Sequence, residues 1–560
     1  MALLVRNISL AWDEPEENLP AHVARALRVP VAAVGAPGAC RVLRRALDAR
    51  WQDDIRRIYS VAVTLQGDEQ RALRRGRAGQ VAPLVVTPRP PIQPGRDPLP
   101  CQPVVIGSGP AGLFAALLLA DLGYRPLVLE RGQDAPLRHR ARHLFYTTGQ
   151  FDPENNLLFG LGGAGTYSDG KLYSRTRDPR NAAVLAELVR FGADPDILID
   201  SKPHIGSDRL PGIVRKMVKH IVAAGGTVRF GAKVVDFELA DNPPDNGPPD
   251  SSPQSGRLRR LVALRLESGE RIAADLCILA TGYSARDTYR VLAARGVELC
   301  AKPFQMGVRI EHPQEMISRS QYGAAATRLP PADYHLVAKG PRSPASPPAP
   351  GGGGGDLWSF CMCPGGIIVP SNESPHEICT NGASNAKHNS PYANSGLVIT
   401  IEPGAFADDP LQGLEYQRHW ERRAFELSGS YAVPAQRASD FLAQRLSDGK
   451  FDVSYPLGAR AVMLEQMLPP AVIAALHRGL PILDRMIHGY AGELGIVTGP
   501  ETRASSPVRI ARDPVTRQSS RVAGLYPVGE GAGYSGGIMS SATDGLKSAE
   551  LLISRYAPPR

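Results

Sequence analysis

No hydrophobic run in this 560-residue chain is long enough to cross a bilayer. The longest apolar helical stretch, residues 113–122, is interrupted by Asp121 and falls well short of the ~20 residues a spanning helix needs. No membrane partner is expected. The first residues, Met1 to Arg6, carry no apolar core followed by small residues, so no secretory leader is read there. Cysteine is scarce as well: there are seven, an odd number, without the spacing of a secreted disulfide framework. That usage fits a reducing compartment, and a cytoplasmic location follows for a bacterial chain. Aromatics are only 6% of the residues, and no dense basic run is interleaved with them as a strand-binding groove would require. The formal net charge of +9 is therefore read as an Arg-rich solvated surface, and nucleic acid is not an expected partner. Such a field still favours anionic ligands. No repeat of 20–50 residues and no metal-ligand spacing is visible, so no metal is expected.

What is present is a globular balance, 43% hydrophobic and 21% charged, in a chain long enough for two or three domains. Residues 1–75 read as a small N-terminal α/β domain, with strands at 3–12 and 55–65 and a helix at 19–27. Residues 76–100 carry Pro88, Pro90, Pro91, Pro94, Pro98 and Pro100, the composition of an extended linker. Residues 101–300 read as a nucleotide-binding domain whose hairpin, 227–239 with 258–266, has its tip lengthened by a Pro-rich insertion at 241–256. Residues 301–495 read as an α+β substrate or cap domain, β-rich first and then helical at 411–445 and 469–495. It carries a Pro/Gly-rich insertion at 341–355. Both insertions read as disordered surface loops, which cost little in loop-closure entropy. Residues 496–560 return to close the nucleotide-binding domain.

The chemistry-bearing signal starts at residue 103. A short apolar strand, 103–106, runs into Gly107-Ser-Gly109-Pro110-Ala111-Gly112, then into an apolar helix, a second strand at 125–129 and Glu130. This is the βαβ dinucleotide fingerprint in order. Gly107 permits the tight turn, Gly109 lets backbone approach a pyrophosphate, and Gly112 lets helix and strand pack closely. The helix N-terminus offers unpaired N–H groups to phosphate. Glu130, followed by Arg131, stands where an acid accepts from a ribose hydroxyl, which favours an unphosphorylated ribose.

Two later segments choose between the dinucleotides. A buried strand at 276–279 leads into Ala280-Thr281-Gly282, and a strand and Gly-rich turn follow at 524–533, including Gly529 and Glu530. A helix is read at 545–556. These pieces resemble the returning and closing segments of two-dinucleotide-fold, glutathione-reductase-like flavoproteins, and their order favours FAD. In those proteins the closing acid contacts the ribityl chain, and the following helix N-terminus, here near Gly537 and Ile538, faces the phosphates or the flavin.

Longer strings sharpen the likeness. FGLGGAGTYSDGKL at 159–172, KPHIGSD at 202–208, GYSARD at 282–287, KPFQMGVRIEHP at 302–313, FCMCPGG at 360–366, ETRASSP at 501–507 and GEGAGYSGGIMSSATDG at 529–545 together resemble the bacterial uncharacterised FAD-dependent dehydrogenases, over nearly the whole chain. Leu161 departs from the Glu expected between its flanking glycines. The resemblance implies an FAD-binding Rossmann-type domain assembled from discontinuous segments, with the cap domain inserted. It places the turn with Gly163, Gly165 and Thr166, and with it Lys171, along the flavin. It names no substrate.

Cys361, Cys363, Arg309 and His312 are the candidates for catalysis, with Arg503 and His204 beside them. Cys361 and Cys363 could supply a nucleophile or a redox relay beside a flavin. Arg309 could hold an anionic substrate in its planar fork, as could Arg503. His312 titrates near neutrality and could act as acid or base, as could His204. The expected activity is oxidation–reduction by hydride transfer through FAD on a small-molecule substrate. The alternatives are an NAD(P)H-dependent flavin monooxygenase and a non-catalytic FAD-binding or RNA-associated protein. No second fingerprint follows a strand, so NAD(P)H enters only as a transient electron donor.

Overall fold

A computed structural model describes residues 2–34, 38–77, 79–85, 91–174, 177–241, 259–341, 355–406 and 408–559. The two insertions read from the sequence lie almost wholly outside the described residues.

A five-stranded sheet carries the dinucleotide fold. Its order is Leu525–Pro527, Cys277–Leu279, Val104–Ile106, Leu127–Leu129 and Thr227–Arg229, and every neighbouring pair is parallel. The three central strands are buried throughout, which is why they read as unbroken apolar triplets rather than alternating ones. Helix Pro110–Asp121 leaves the central strand Val104–Ile106. Leu113, Phe114, Leu117 and Leu119 bury fully on its several faces, each worth roughly 1.5–3 kcal/mol. It packs against helix Ile538–Arg555, so the two ends of the domain are held together helix to helix.

A seven-stranded sheet forms the larger second layer. Its order is Val337–Ala338, Leu357–Cys363, Tyr392–Ile401, Phe304–Pro313, Ile496–Glu501, Val433–Arg437 and Ala459–Ala461. All pairs are antiparallel except the last. Helix Pro470–Met486 covers it with Val472, Leu476, Leu480 and Leu483. The N-terminal domain is a four-stranded antiparallel sheet, ordered Cys40–Asp48, Arg56–Val63, Leu3–Ala11, Val81–Pro83, with helix Leu19–Leu27 on one face.

Several expectations change. The strand read at 227–239 is two strands: Thr227–Arg229 joins the parallel sheet, and Val234–Asp241 pairs with Arg259–Leu266. The break falls at Gly231, whose φ of +63° bends the chain so that its amide reaches the Gly132 carbonyl. Val81–Pro83 lies inside the stretch read as linker, and residues 95–97 bond to the end of the C-terminal helix. The region read as helix at 411–445 contains helices Gln412–Ser428 and Ala438–Leu442 with strand Val433–Arg437 between them. The segment 496–560 serves both layers, since its first strand, Ile496–Glu501, belongs to the seven-stranded sheet. No helix among the described residues is long and apolar enough to cross a membrane.

Candidate functional site

The C-terminal ends of the parallel strands and the N-termini of two helices enclose one cavity. Every residue expected to meet the cofactor lines it, except Gly112 and Thr166. Those two sit behind the wall. A Cβ on Gly112 would fall 1.9 Å from the Gly107 carbonyl oxygen, so this position must be glycine for helix and strand to touch. Thr166 Oγ1 donates to the Leu161 carbonyl at 3.1 Å and closes the Gly-rich turn. That turn abuts the fingerprint: a Cβ on Gly163 would stand 3.2 Å from Gly109 Cα.

Both helices that point at the cavity, Pro110–Asp121 and Ile538–Arg555, have glycine at the N-cap and no side chain capping them. The first-turn amides, from Ala111 in one helix (Pro110 carries none) and from Ile538 in the other, therefore have no capping side chain, and the positive end of each helix dipole lies behind them. A Cβ on Gly109, Gly282 or Gly537 would meet nothing within 4 Å, so these three glycines border open space. Paired bare helix ends and glycine-lined walls are what a diphosphate and a flat ring system require, and the residues fit a flavin dinucleotide.

Glu130 knits the wall together. One oxygen accepts from Ser108 N at 2.9 Å and from Ser108 Oγ at 2.6 Å, and the other from Gly132 N at 2.9 Å and Gly160 N at 3.0 Å. Its four acceptor positions are filled from within the wall. Arg131 forks between Glu154 and Asp287 and stacks over Phe159 at 4.1 Å. Glu530 stands at the opposite end. Burial pushes its carboxyl up to about 7, against the opposing pull of Lys302 and the Gly537 amide.

Three residues that the motifs did not flag hold this geometry. Arg138, fully buried, donates to the carbonyls of Asn156, Leu157, Gly160, Leu161 and Gly163, and burial pushes it down to about 10. Asp544 accepts from Gly529 N at 2.8 Å while pairing with Arg512 and Arg517. Ser108 anchors Glu130. The one available signal was position: Ser108 sits between the fingerprint glycines and Asp544 within the closing string. Arg138 lies in an Arg-rich helix and gave none.

The catalytic candidates separate. Cys361 lines the cavity, and Cys363 is buried behind it. Arg309 does not offer a free fork. It is fully buried, its Nε and Nη2 go to Glu501 at 2.6 and 2.8 Å, and its Nη1 goes to Asn394 at 2.8 Å and the Cys361 carbonyl at 3.3 Å. A guanidinium so engaged braces the sheet beneath the cavity and has no donor to spare for a substrate. His312 is not in the cavity wall. Its Nε2 bonds the Tyr490 carbonyl at 2.8 Å inside the cap core, and burial pushes its pKa down to about 4, which leaves it neutral and structural. Arg503 does line the cavity. One Nη reaches Glu421 at 3.0 Å and Glu373 at 3.2 Å, while its Nε and other Nη, both buried, have no hydrogen-bond partner among the described residues.

Lys171 joins this cavity to a second one of about 830 Å³, bounded by the N-terminal domain and the cap. Its ammonium pairs with Asp169 at 2.9 Å, and Asp169 accepts from His388 Nε2 at 3.2 Å. His388 stacks on His204 with ring centroids 3.9 Å apart, and both imidazoles face the second cavity. Burial favours protonated Asp169, but Lys171 and His388 outweigh it and hold the group down to about 2. Asp169, His204 and His388 bring three ligand atoms within 4.8 Å of one another, with the Lys171 ammonium already occupying the Asp169 carboxylate.

Comparison with known proteins identifies the cofactor. Residues 101–148 match the family described as FAD binding domain, and residues 303–504 match FAD-dependent protein, C-terminal domain-like. A protein of Clostridium beijerinckii, named only as uncharacterized, is 37% identical over 566 residues, covering 100% of both chains. Among solved structures, glycine oxidase from Bacillus cereus is 10% identical, with 80% of this chain and 94% of that one covered at a TM-score of 0.29. CtdE in complex with FAD is 9% identical over 80% and 82% of the two chains at a TM-score of 0.27. The cofactor is FAD, bound by a Rossmann-type fold, and the chain belongs to the same family as the Clostridium relative, to which it is similar from end to end.

Proposed function

We propose that this chain is an FAD-dependent oxidoreductase of the dehydrogenase or reductase type, acting on a small polar molecule bound in the second cavity. The observation that carries the reading is the shared wall. Asp169 and Lys171 border both cavities, so a molecule among Tyr59, His204, Tyr334 and His388 lies one side chain away from the FAD cavity. Bound FAD supplies acceptance and donation of a hydride; the chain supplies the rest. The bare helix ends and Gly109 would hold the diphosphate, Glu130 and Ser108 would meet the adenosine ribose, and Gly163, Gly165 and Lys171 would lie along the flavin. The N-terminal domain contributes Arg45, Arg57 and Tyr59 to the wall of the second cavity, where the two guanidinium groups favour an anionic or polar molecule. His388, bonded to Asp169, is placed to take or give the proton that accompanies hydride movement.

The test is anaerobic bleaching of the flavin absorbance in a stopped-flow instrument. Reduction by a metabolite alone supports a dehydrogenase. Reduction by NADH or NADPH, followed by transfer to an organic acceptor, supports a reductase with a transient nicotinamide donor. Nicotinamide oxidation coupled to oxygen uptake and a hydroxylated product would replace this reading with a monooxygenase.

A further inference from the structure

The strand that crosses the cavity floor is irregular where its two cysteines lie. Strand Leu357–Cys363 pairs Phe360 with Gly396, but then Cys363 with Asn394, so one extra residue is accommodated as a bulge. Cys361 sits on that bulge at φ +44°, a left-handed conformation that a β-carbon-bearing residue seldom adopts. The distortion puts both sulfurs on one cation: Lys171 Nζ is 3.9 Å from Cys361 Sγ and 3.9 Å from Cys363 Sγ. The same ammonium donates to the Met362 carbonyl and pairs with Asp169, so it is pinned between the two thiols by the peptide that links them. Arg309 adds a second positive charge against the Cys361 carbonyl. The neighbouring strand leaves room for this cluster. A Cβ on Gly382 would lie 2.3 Å from Arg309 Nη1 and 2.8 Å from Cys363 Sγ.

We infer that Cys361 and Cys363 are a redox-active dithiol that exchanges an electron pair with FAD, with Lys171 holding the thiolate. The inference rests on FAD occupying the first cavity, and not on which substrate fills the second. The Cys361 proton leaves first, past Asp169 to His388 at the edge of the second cavity. In the oxidative direction the Cys363 S–H bond then breaks and one S–S bond forms between Cys361 and Cys363, and two electrons with the Cys363 proton would pass to oxidised FAD. The reverse would return the pair to one thiolate and one thiol when FAD is reduced. Hydrogen bonding from Cys363, with Lys171 and Arg309 alongside, lowers the Cys361 thiol well below its ordinary range against the cost of burial. Cys363 is raised in turn by its partner and by burial, so one proton is lost readily and the other is kept. A single positioned thiolate beside a cation is the reactive form of such a pair. Residues separated by one position close only a distorted disulfide, which makes the bond more readily reduced, as suits an intermediate carrier over a structural crosslink.

The test uses the FAD-loaded protein. Anaerobic titration with dithionite should consume four electrons per FAD after mild oxidation, and two in Cys361→Ser and Cys363→Ser. Alkylation under denaturing conditions, read by intact mass, should label five of the seven cysteines in the oxidised protein and all seven after reduction. At neutral pH in the native protein, Lys171→Met should slow iodoacetamide modification of Cys361 at least tenfold. Lys171→Arg, which keeps the charge, should slow it less and serves where the methionine variant fails to fold. Flavin-loaded protein that bleaches with two electrons and keeps seven alkylatable thiols after oxidation overturns the inference and leaves the FAD reading intact.

Discussion

A Cβ built on Gly545 would stand 2.0 Å from the carbonyl oxygen of Ala111. These two residues bring the N-terminal fingerprint helix and the C-terminal helix into backbone contact, and each helix presents its bare N-terminus to the FAD cavity. Neither carbonyl nor helix axis can give way without moving one set of amides off the diphosphate. Gly545→Ala should therefore weaken FAD binding at least tenfold, measured by flavin fluorescence on titration of the stripped protein. The exposed Gly536→Ala, whose Cβ meets nothing within 4 Å, should leave affinity within about twofold. Equal affinities for the two variants would show that the helix contact does not set the cavity.

Arg138 makes a second prediction. It bonds five backbone carbonyls of the 156–163 segment, and no carboxylate is among its hydrogen-bond partners, so its function is to satisfy carbonyls that would otherwise be buried and unpaired. Arg138→Lys keeps the charge and loses the fork. It should cost more than the ~1–3 kcal/mol of one unsatisfied buried group, because several are released together. Arg138→Met should be worse still. The check is thermal unfolding with and without FAD. The FAD-induced rise in Tm should shrink in both variants, because the loosened turn is the one that abuts Gly109.

How much of this could be read from residues alone depends on whether backbone or tertiary packing set the position. The turn at 107–112 was legible because glycine at three fixed places has a single geometric reason there, whereas Gly282 and Gly529 were reached through their resemblance to the returning and closing segments of flavoproteins. The helix read at 545–556 begins at Ile538 instead, since Ser540, Ser541, Thr543 and Asp544 are poor helix formers whose place is fixed by tertiary bonds, such as Asp544 to the Gly529 amide. Arg309 and His312 looked catalytic because charge and imidazole are chemically versatile. Only the structure shows Glu501, Asn394 and Tyr490 engaging them. The link from Lys171 to Cys361 and Cys363 joins positions about 190 residues apart, and no local spacing carries it.

Cofactor retention should itself depend on pH through Glu530. Burial raises this carboxyl to about 7 in the flavin-free protein, so it is largely neutral below that pH and ionised above it. A neutral acid can donate to as well as accept from a sugar hydroxyl, whereas the carboxylate only accepts. FAD affinity should change across pH 6–8 in the wild type and be flat in Glu530→Gln. Titrating the stripped protein with FAD at five pH values reads this directly, and parallel curves would remove Glu530 from the binding step.

Glu311 and His312 are adjacent on strand Phe304–Pro313 and should pull stability in opposite directions with pH. Glu311, bonded by Ser454 N and Oγ, is raised from 4.5 to about 7 by burial, the serine bonds opposing. The folded state therefore holds its proton more tightly than the unfolded chain, and this contribution is complete below pH 4.5 and lost as pH rises through 7. It is worth on the order of 3 kcal/mol. His312 is lowered from 6.5 to about 4 by burial, against the Tyr490 carbonyl bond. The unfolded chain binds its proton more tightly, so this contribution is complete above pH 6.5 and lost as pH falls toward 4. The two slopes oppose one another and nearly cancel between pH 4.5 and 6.5, so denaturant unfolding of the holoprotein should be close to level there as far as this pair is concerned. Glu311→Gln should uncover the acid limb of His312, with stability falling as pH drops from 6.5 toward 4. His312→Leu should uncover the alkaline limb of Glu311, with stability falling as pH rises from 4.5 to 7, at the cost of one unpaired carbonyl, about 1–3 kcal/mol, and leave the rate of flavin reduction unchanged. A His312→Leu variant that folds, binds FAD and fails to be reduced would return this histidine to the chemistry.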